Sequence, residues 1–430
     1  MLKNIDRRSM PNKDIFVGLD LGTSGARAIA MRHDGLVVGE GKSLMSDHGT
    51  NWRNPEIWWS AAKTALSSML KQVDGAKIVA LCVDGTSGTM IPVTKEGEPL
   101  ADARMYNDPC ADQAILKTIA QYAPVQSAAH GPTSGLAKAL IFQQQHGKVR
   151  VVHQADWIAG RLCGTYASDD NNALKTGFDP VAGCWPVWIE NTGLDLSVLP
   201  DINRPGSVVA NILPEMAEGF GLPKGVTILA GTTDGCASFL ATGAENSGDG
   251  VSALGTTLTI KLLSDTPIFD PASGVYSHHI LGKWLAGGAS NTGGNVLLAH
   301  FSADEMDCLS NEIDAETDSG LDYYPLVKPG ERFPISDPNF SPKMSPIPND
   351  RAQFLKGIFE GIAGVEALAY AKLTKLGAPK LKSLRSVGGG AKNQVWTRIR
   401  ERRLGVAMPA PLNNEAAYGA ACLARYGNQQ

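Results

Sequence analysis

DLGTSGARA, Asp20 to Ala28, lies between two apolar runs, Ile15 to Asp20 before it and Ala26 to Met31 after it. A Gly-Thr-Ser-Gly turn (Gly22 to Gly25) joins them, and His33-Asp34-Gly35 turns the chain into a third run, Leu36 to Gly41. Short apolar runs parted by glycine turns predict an antiparallel meander. Gly22 and Gly25 let backbone approach a ligand without a Cβ in the way. N–H groups bared in such a turn form a concave anion site. Thr23 and Ser24 add hydroxyl donors, and Asp20 at the strand end can hold Mg²⁺ through water. The same residues also satisfy a plain hairpin turn with a capping aspartate.

The unit is echoed further on. Val251 to Leu254 reads as a strand, Gly255-Thr256-Thr257 as a turn and Leu258 to Leu262 as a strand. A chain of 430 residues is too long for one ordinary core. The echo therefore predicts two domains of similar plan, 15–231 and 232–430, after a polar 14-residue tail expected to be disordered. Between the hairpins, Asn54-Pro55 forms an N-cap and first-turn pair. Trp58, Ala62, Ala65, Met69 and Val73 follow at helical spacing, and Ile78 to Val83 makes a compact strand. A strand at Val226 to Ala230 leads into a small-residue helix from Cys236 to Thr242. Helices are expected over 350–376, 393–404 and 414–425, with a strand at 383–387. Alternation of strands and helices indicates an α/β fold. Residues 109–223 are rich in turns and are expected to hold insertions facing a substrate.

Composition removes several function classes. Hydrophobic residues make up 43% and charged residues 19%, ordinary values for a globular chain. A net charge of −4 gives no sign of a nucleic-acid surface. No apolar run approaches the length of a membrane span, and MLKNIDRRSMPNKD lacks the apolar stretch of a signal peptide. Seven scattered cysteines without a C-x-x-C pair argue against a disulfide framework and a zinc site, and fit a reducing, cytoplasmic compartment.

Further segments carry candidate chemistry. In GTTDG (Gly231 to Gly235), Asp234 follows a buried-looking strand and precedes a helix. A carboxylate there can take the proton of an attacking hydroxyl; it can equally be an N-cap. Gly255-Thr256-Thr257 reads as a second phosphate clamp or as another hairpin turn. In VGGGAKNQVW (Val387 to Trp396), three glycines at a strand end bring backbone close to something flat, such as ribose or adenine. Asn393 and Trp396 follow; the alternative is a loop beside a core tryptophan. Asp84-Gly85-Thr86-Ser87-Gly88 ends another strand, with Ser87 as a hydroxyl partner for a sugar. Trp52 is placed to stack on a sugar face or simply to pack. Arg104, Asn107 and Asp108 form a polar cluster in which Arg104 and Asp108 are expected to pair at the surface. His278 and His279 are adjacent on a strand, point to opposite faces and make poor joint ligands.

Taken in order, DLGTSGARA, the tryptophan segment Trp52 to Trp59, CVDGTSGT, GTTDG, ALGTT and VGGGAKN…EAAYGAA resemble the FGGY family of carbohydrate kinases over nearly the whole chain. The resemblance implies two ribonuclease-H-like domains of the actin and hexokinase superfamily, with ATP and sugar in a cleft between them. It implies that Asp20, Gly22, Thr23 and Ser24 serve phosphate and Mg²⁺, with Asp234 also near the metal and acting as general base. Gly255, Thr256 and Thr257 would meet the nucleotide phosphates, and Gly389, Gly390, Asn393 and Trp396 the adenosine. Asp20, Ser87, Asp234 and Trp52 would meet the sugar. The wording GTSGARAIA and CVDGTSGT is similar to the short D-ribulose kinases of cyanobacteria and plant plastids. The segment Tyr106 to Cys110 departs from longer relatives, which carry an arginine there. The expectation is ATP-dependent phosphorylation of a ketopentose, D-ribulose before xylulose, another pentulose or glycerol, by a monomer or homodimer. A nucleotide-dependent sugar sensor or interaction protein on the same fold is the rival of another class.

Overall fold

The computed structural model describes residues 13–429. All of the expected N-terminal tail except Lys13 and Asp14 lies outside them. The chain forms two compact units. One runs to Ala241 and takes the chain back from Glu415; the other is Thr242–Asn414. The division thus falls ten residues later than the expected 231/232, and the C-terminal segment belongs to the first unit. The reason is that Asp234–Ala241 and the last helix, Ala416–Gly427, pack on one another and on the first sheet. A Cβ on Gly419 would sit 1.8 Å from the Ala237 carbonyl oxygen, and one on Gly18 would sit 1.9 Å from that of Ala417. Only glycine permits backbones to approach so closely.

The first unit is built on a six-stranded sheet. Its strands are β1 (Ile15–Leu21), β2 (Gly25–Arg32), β3 (Val37–Leu44), β4 (Ile78–Gly85), β5 (Val208–Asn211) and β6 (Thr227–Thr233), in the order β3-β2-β1-β4-β6-β5. The meander β1–β3 is antiparallel, whereas β1, β4 and β6 run parallel. Helix α1 (Pro55–Leu70) starts as the sequence predicts, with the Asn54 side chain accepting from Glu56 N–H and Pro55 at the first position. Its Trp58 and Met69 bury against Val17 and Leu19 of β1 in the main core of this unit. The turn-rich stretch after residue 109 supplies a smaller core of its own, in which Ile115, Leu136, Leu140 and Phe142 cluster. Helix α2 (Gly135–His146), capped by Ser134, lies there, and α3 (Gln154–Cys163) packs on the sheet. Helix α4 is Asp234–Ala241.

The second unit has a five-stranded sheet. Its strands are β7 (Asp249–Leu254), β8 (Leu258–Ser264), β9 (Tyr276–Ile280), β10 (Lys283–Ser290) and β11 (Ser383–Val387), in the order β9-β10-β8-β7-β11. Here β7 and β8 form the antiparallel hairpin, and β7 runs parallel to β11. Helices α5 (Gly294–His300), α6 (Arg351–Lys375) and α7 (Gln394–Leu404) complete the part that matters for a site. Leu355, Ile358, Ile362 and Leu373 of α6 are buried against Ile260 and Leu262 of β8. A fully buried ion pair ties α6 to α7: Arg400 donates to both Glu366 oxygens at 2.7 Å, and its third nitrogen reaches the Ser386 hydroxyl of β11 at 2.7 Å. No helix among the described residues is long and apolar enough to cross a membrane.

Candidate active site

In parallel sheets, ligands bind beyond the carboxyl ends of the strands. In the first unit those ends carry acids. Asp20 closes β1 in register with Asp84 of β4, Thr232 of β6 stands opposite Asp84 from the other side, and Asp234 opens α4. Asp84 has 0% exposure and Asp20 4%. Both Asp84 carboxyl oxygens are buried and receive no hydrogen bond from a donor. The group they meet is the Asp20 carboxyl, so a bond between the two forms only when one acid keeps its proton. Burial, reinforced by the Asp20 charge, drives Asp84 well above the usual carboxylate range, so Asp84 is the one that holds it. Burial raises Asp20 as well; a hydrogen bond from Asp84 works against this, Asp234 adds to it, and Arg27 offsets part of it. Asp234 accepts from the Gly235 N–H at 2.6 Å.

Cations flank the acids on one side. Arg27, opposite Asp20 in the β1–β2 register, lies 3.5 Å from it and 3.2 Å from Glu415, which also meets Lys42 at 3.5 Å. The turn between β1 and β2 is closed by Gly22 N–H donating to the Gly25 carbonyl, and it leaves Thr23 and Ser24 exposed. After Asp84, Gln154 Oε1 accepts from the Thr86 N–H and hydroxyl, and Ser87 stays half-buried. Of these acids, Asp20 and Asp234 carry the oxygen chemistry that a hard divalent cation takes. Among the described residues no group of three His, Cys, Asp or Glu side chains is arranged to hold a metal ion.

The second unit presents the same strand ends without acids. Ala253 of β7 pairs with Val387 of β11, followed by Gly255-Thr256-Thr257 on one strand and Gly388-Gly389-Gly390 on the other. Gly255 and Thr256 are exposed. Their carbonyls accept from the N–H groups of Gly294 and Asn295 at the start of α5, which braces the turn. Gly388 has φ +87°, and a Cβ there would lie 2.8 Å from the Leu254 carbonyl oxygen; around Gly389 the space is open.

Several expected site residues are placed otherwise. Trp396 is 1% exposed, stacks on Phe359 at 5.0 Å between centroids and donates its indole N–H to the Phe359 carbonyl. It is therefore a core residue and not a wall of an adenosine pocket. Asn393 caps α7 by accepting from the Trp396 N–H and donates to the Ser310 hydroxyl, so both ends of its amide are engaged within the protein. Arg104 does not pair with Asp108: it lies over the Phe142 ring, while Asp108 takes Arg53 as a bidentate partner. Trp52 is 58% exposed, and only its carbonyl is used, by the Trp58 indole. His278 and His279 contact different rings, Tyr276 and Trp284. Asp84 and Glu415 were not singled out as members of the acidic group. Asp84 has a local signal, an aspartate-glycine strand end like that at Asp20. Glu415 has none, since it arrives from the far end of the chain.

Residues 15–129 match the FGGY family of carbohydrate kinases, N-terminal domain, and residues 250–427 match its C-terminal domain. The chain belongs to the FGGY family of carbohydrate kinases. It is 25% identical over 448 residues to a xylulose kinase of Staphylococcus epidermidis, covering 96% of this chain and 88% of that one. It is 22% identical to a gluconokinase of Bacillus subtilis, covering 95% and 86%. The crystal structure of xylulose kinase from Rhodospirillum rubrum superposes with a TM-score of 0.81 at 24% identity, covering 96% and 90%. The fold is accordingly the two-domain one of actin and hexokinase relatives, and the protein is an ATP-dependent sugar phosphotransferase.

Proposed function

We propose that this kinase phosphorylates a ketopentose, D-ribulose at O5, giving D-ribulose 5-phosphate and ADP. The supporting observation is the gathering of Asp20, Asp84 and Asp234 at the ends of three parallel strands, with Asp234 at a helix start beside the loop that carries Ser87. In this reading the sugar oxygen attacks the γ-phosphorus, the bond to the β-phosphate oxygen breaks, and the hydroxyl proton passes to Asp234. Ser87 and Asp20 orient the sugar. The turn at Gly22, Thr23 and Ser24, with Arg27, meets the transferring phosphoryl group. Gly255, Thr256, Thr257, Gly389 and Gly390 of the second unit hold the nucleotide through backbone N–H groups and hydroxyls, neutral donors suited to phosphate. Asp20 and Asp234 would hold a Mg²⁺ ion, which would supply charge neutralisation for the phosphates. The wording of the two glycine loops in the first unit favours D-ribulose, and the names of the relatives favour D-xylulose as the second reading. The deciding experiment is the product formed from ATP with each pentulose under equal conditions. Preference for D-ribulose by tenfold or more in kcat/KM supports the first reading; the reverse preference replaces it with the second.

A further inference from the structure

The loop after Asp84 is held by a buried cation that has no ion-pair partner among the described residues. Lys138, on α2, is 1% exposed. Its ammonium donates to three backbone carbonyls from three separate segments: Gly88 at 2.7 Å, and Tyr106 and Thr133 at 3.3 Å each. Three donors meeting three acceptors satisfy the group in number. Among the described residues no ion pair meets its charge, and Asp108 acts on it without touching it. The charged groups around it come from every neighbouring segment. Asp108 is already bidentate to Arg53, while Arg104 and Lys175 are like charges. Burial first, and then Lys175, holds the Lys138 ammonium down to about 8. A methionine would fill the same space but would take this donor away from all three carbonyls.

What the lysine fixes is more informative. Thr86 is held by Gln154, Thr89 accepts from the Tyr106 N–H, and Gly88 is held by Lys138. Between these anchored positions stands Ser87, half-buried, whose hydroxyl takes no partner among the described residues. The loop is hydrogen-bonded to neighbouring segments on both sides of the Ser87 hydroxyl.

We propose that Lys138 is a positioning residue for the sugar, its buried ammonium fixing Gly88 and so setting where the Ser87 hydroxyl meets the substrate. This rests on the sugar-kinase reading of the loop given above. The test compares wild type, Lys138→Met and Lys138→Arg with D-ribulose, D-xylulose and ATP, alongside amide hydrogen exchange. Lys138→Met is expected to raise the sugar KM at least tenfold and leave the ATP KM within twofold. The amides of 85–89 and 105–107 should exchange faster in it. In wild type the sugar KM is expected to rise as pH passes about 8, where the ammonium loses its proton. In Lys138→Arg, which keeps its charge, that rise should vanish. An unchanged sugar KM in Lys138→Met, an equal rise in both KM values, or a pH dependence that persists in Lys138→Arg overturns the proposal. If wild type phosphorylates neither pentulose while exchange still quickens in Lys138→Met, the pentulose reading falls and the clamp on the loop stands.

Discussion

The two units place the same backbone plan under different chemistry. In each, an antiparallel hairpin feeds a strand that runs parallel to a later one, and a glycine turn follows both parallel strands. DLGTSG in the first unit corresponds to ALGTTL in the second, and the partner strands end in Asp84-Gly85 and Val387-Gly388. Where the first unit pairs Asp20 with Asp84, the second pairs Ala253 with Val387. Both halves keep the glycine turn, a backbone shape that can offer N–H groups to an anion. At these strand ends the acids occur only in the first unit. In the proposed reading the difference divides the labour: proton transfer in the first unit, neutral nucleotide holding in the second.

The largest effect should come from the acid with no counterpart in the second unit. Asp234→Ala is expected to lower kcat by roughly 10²–10⁴-fold with folding intact, read by circular dichroism and a coupled ADP assay. Activity within about threefold of wild type would end the assignment of Asp234 as base and, with it, the proposed division.

The second unit's contribution should show as nucleotide affinity and backbone strain. Gly388→Ala forces a Cβ against the Leu254 carbonyl at a positive φ. A loss of about 1–3 kcal/mol in denaturant unfolding is expected. The ATP KM should rise by about tenfold, with the sugar KM unchanged. A rise in the sugar KM alone would place the sugar, not the nucleotide, at this loop.

Asp84 sharpens the comparison through pH. Its carboxyl is driven up in the folded state, so the folded chain binds more protons than the unfolded one above the ordinary aspartate range. Stability then falls as pH rises through that window. Asp84→Asn removes the penalty: it should equal wild type near pH 4 and be the more stable protein near neutrality, measured by denaturant melts with chelator present. A melt in which Asp84→Asn is the weaker protein at neutral pH would mean that the carboxylate is ionised and stabilising there.

Much of this was legible in the chain. The meander at 15–44, the helices near 55 and 351 and the hairpin at 249–264 were predicted because apolar spacing and caps such as Asn54-Pro55 are local signals. The boundary was misplaced because the packing of Ala416–Gly427 on Asp234–Ala241 joins segments far apart in sequence. Trp396 reads as a pocket wall since glycines precede it, but it lies in the first turn of α7, and the packing of that helix puts its ring in the core against Phe359. Arg104 and Asp108 are close in sequence, yet Asp108 pairs with Arg53, a choice set by tertiary contact.

Trp52 yields the smallest expected effect and the plainest test of which aromatic belongs to a site. A ring stacked on a sugar loses much of its exposed area, and burying an aromatic side chain is worth about 1.5–3 kcal/mol, so its removal should raise the sugar KM tenfold or more. In the structure the Trp52 side chain is mostly in solvent, and the residue's one hydrogen bond here is made by its carbonyl, which any residue supplies. Trp52→Ala should therefore change unfolding free energy by less than about 0.5 kcal/mol and the sugar KM by less than about twofold. A tenfold rise confined to the sugar KM would show that the ring closes on the substrate when it binds. It would also extend the first unit's share of the chemistry from its strand ends to the segment before α1.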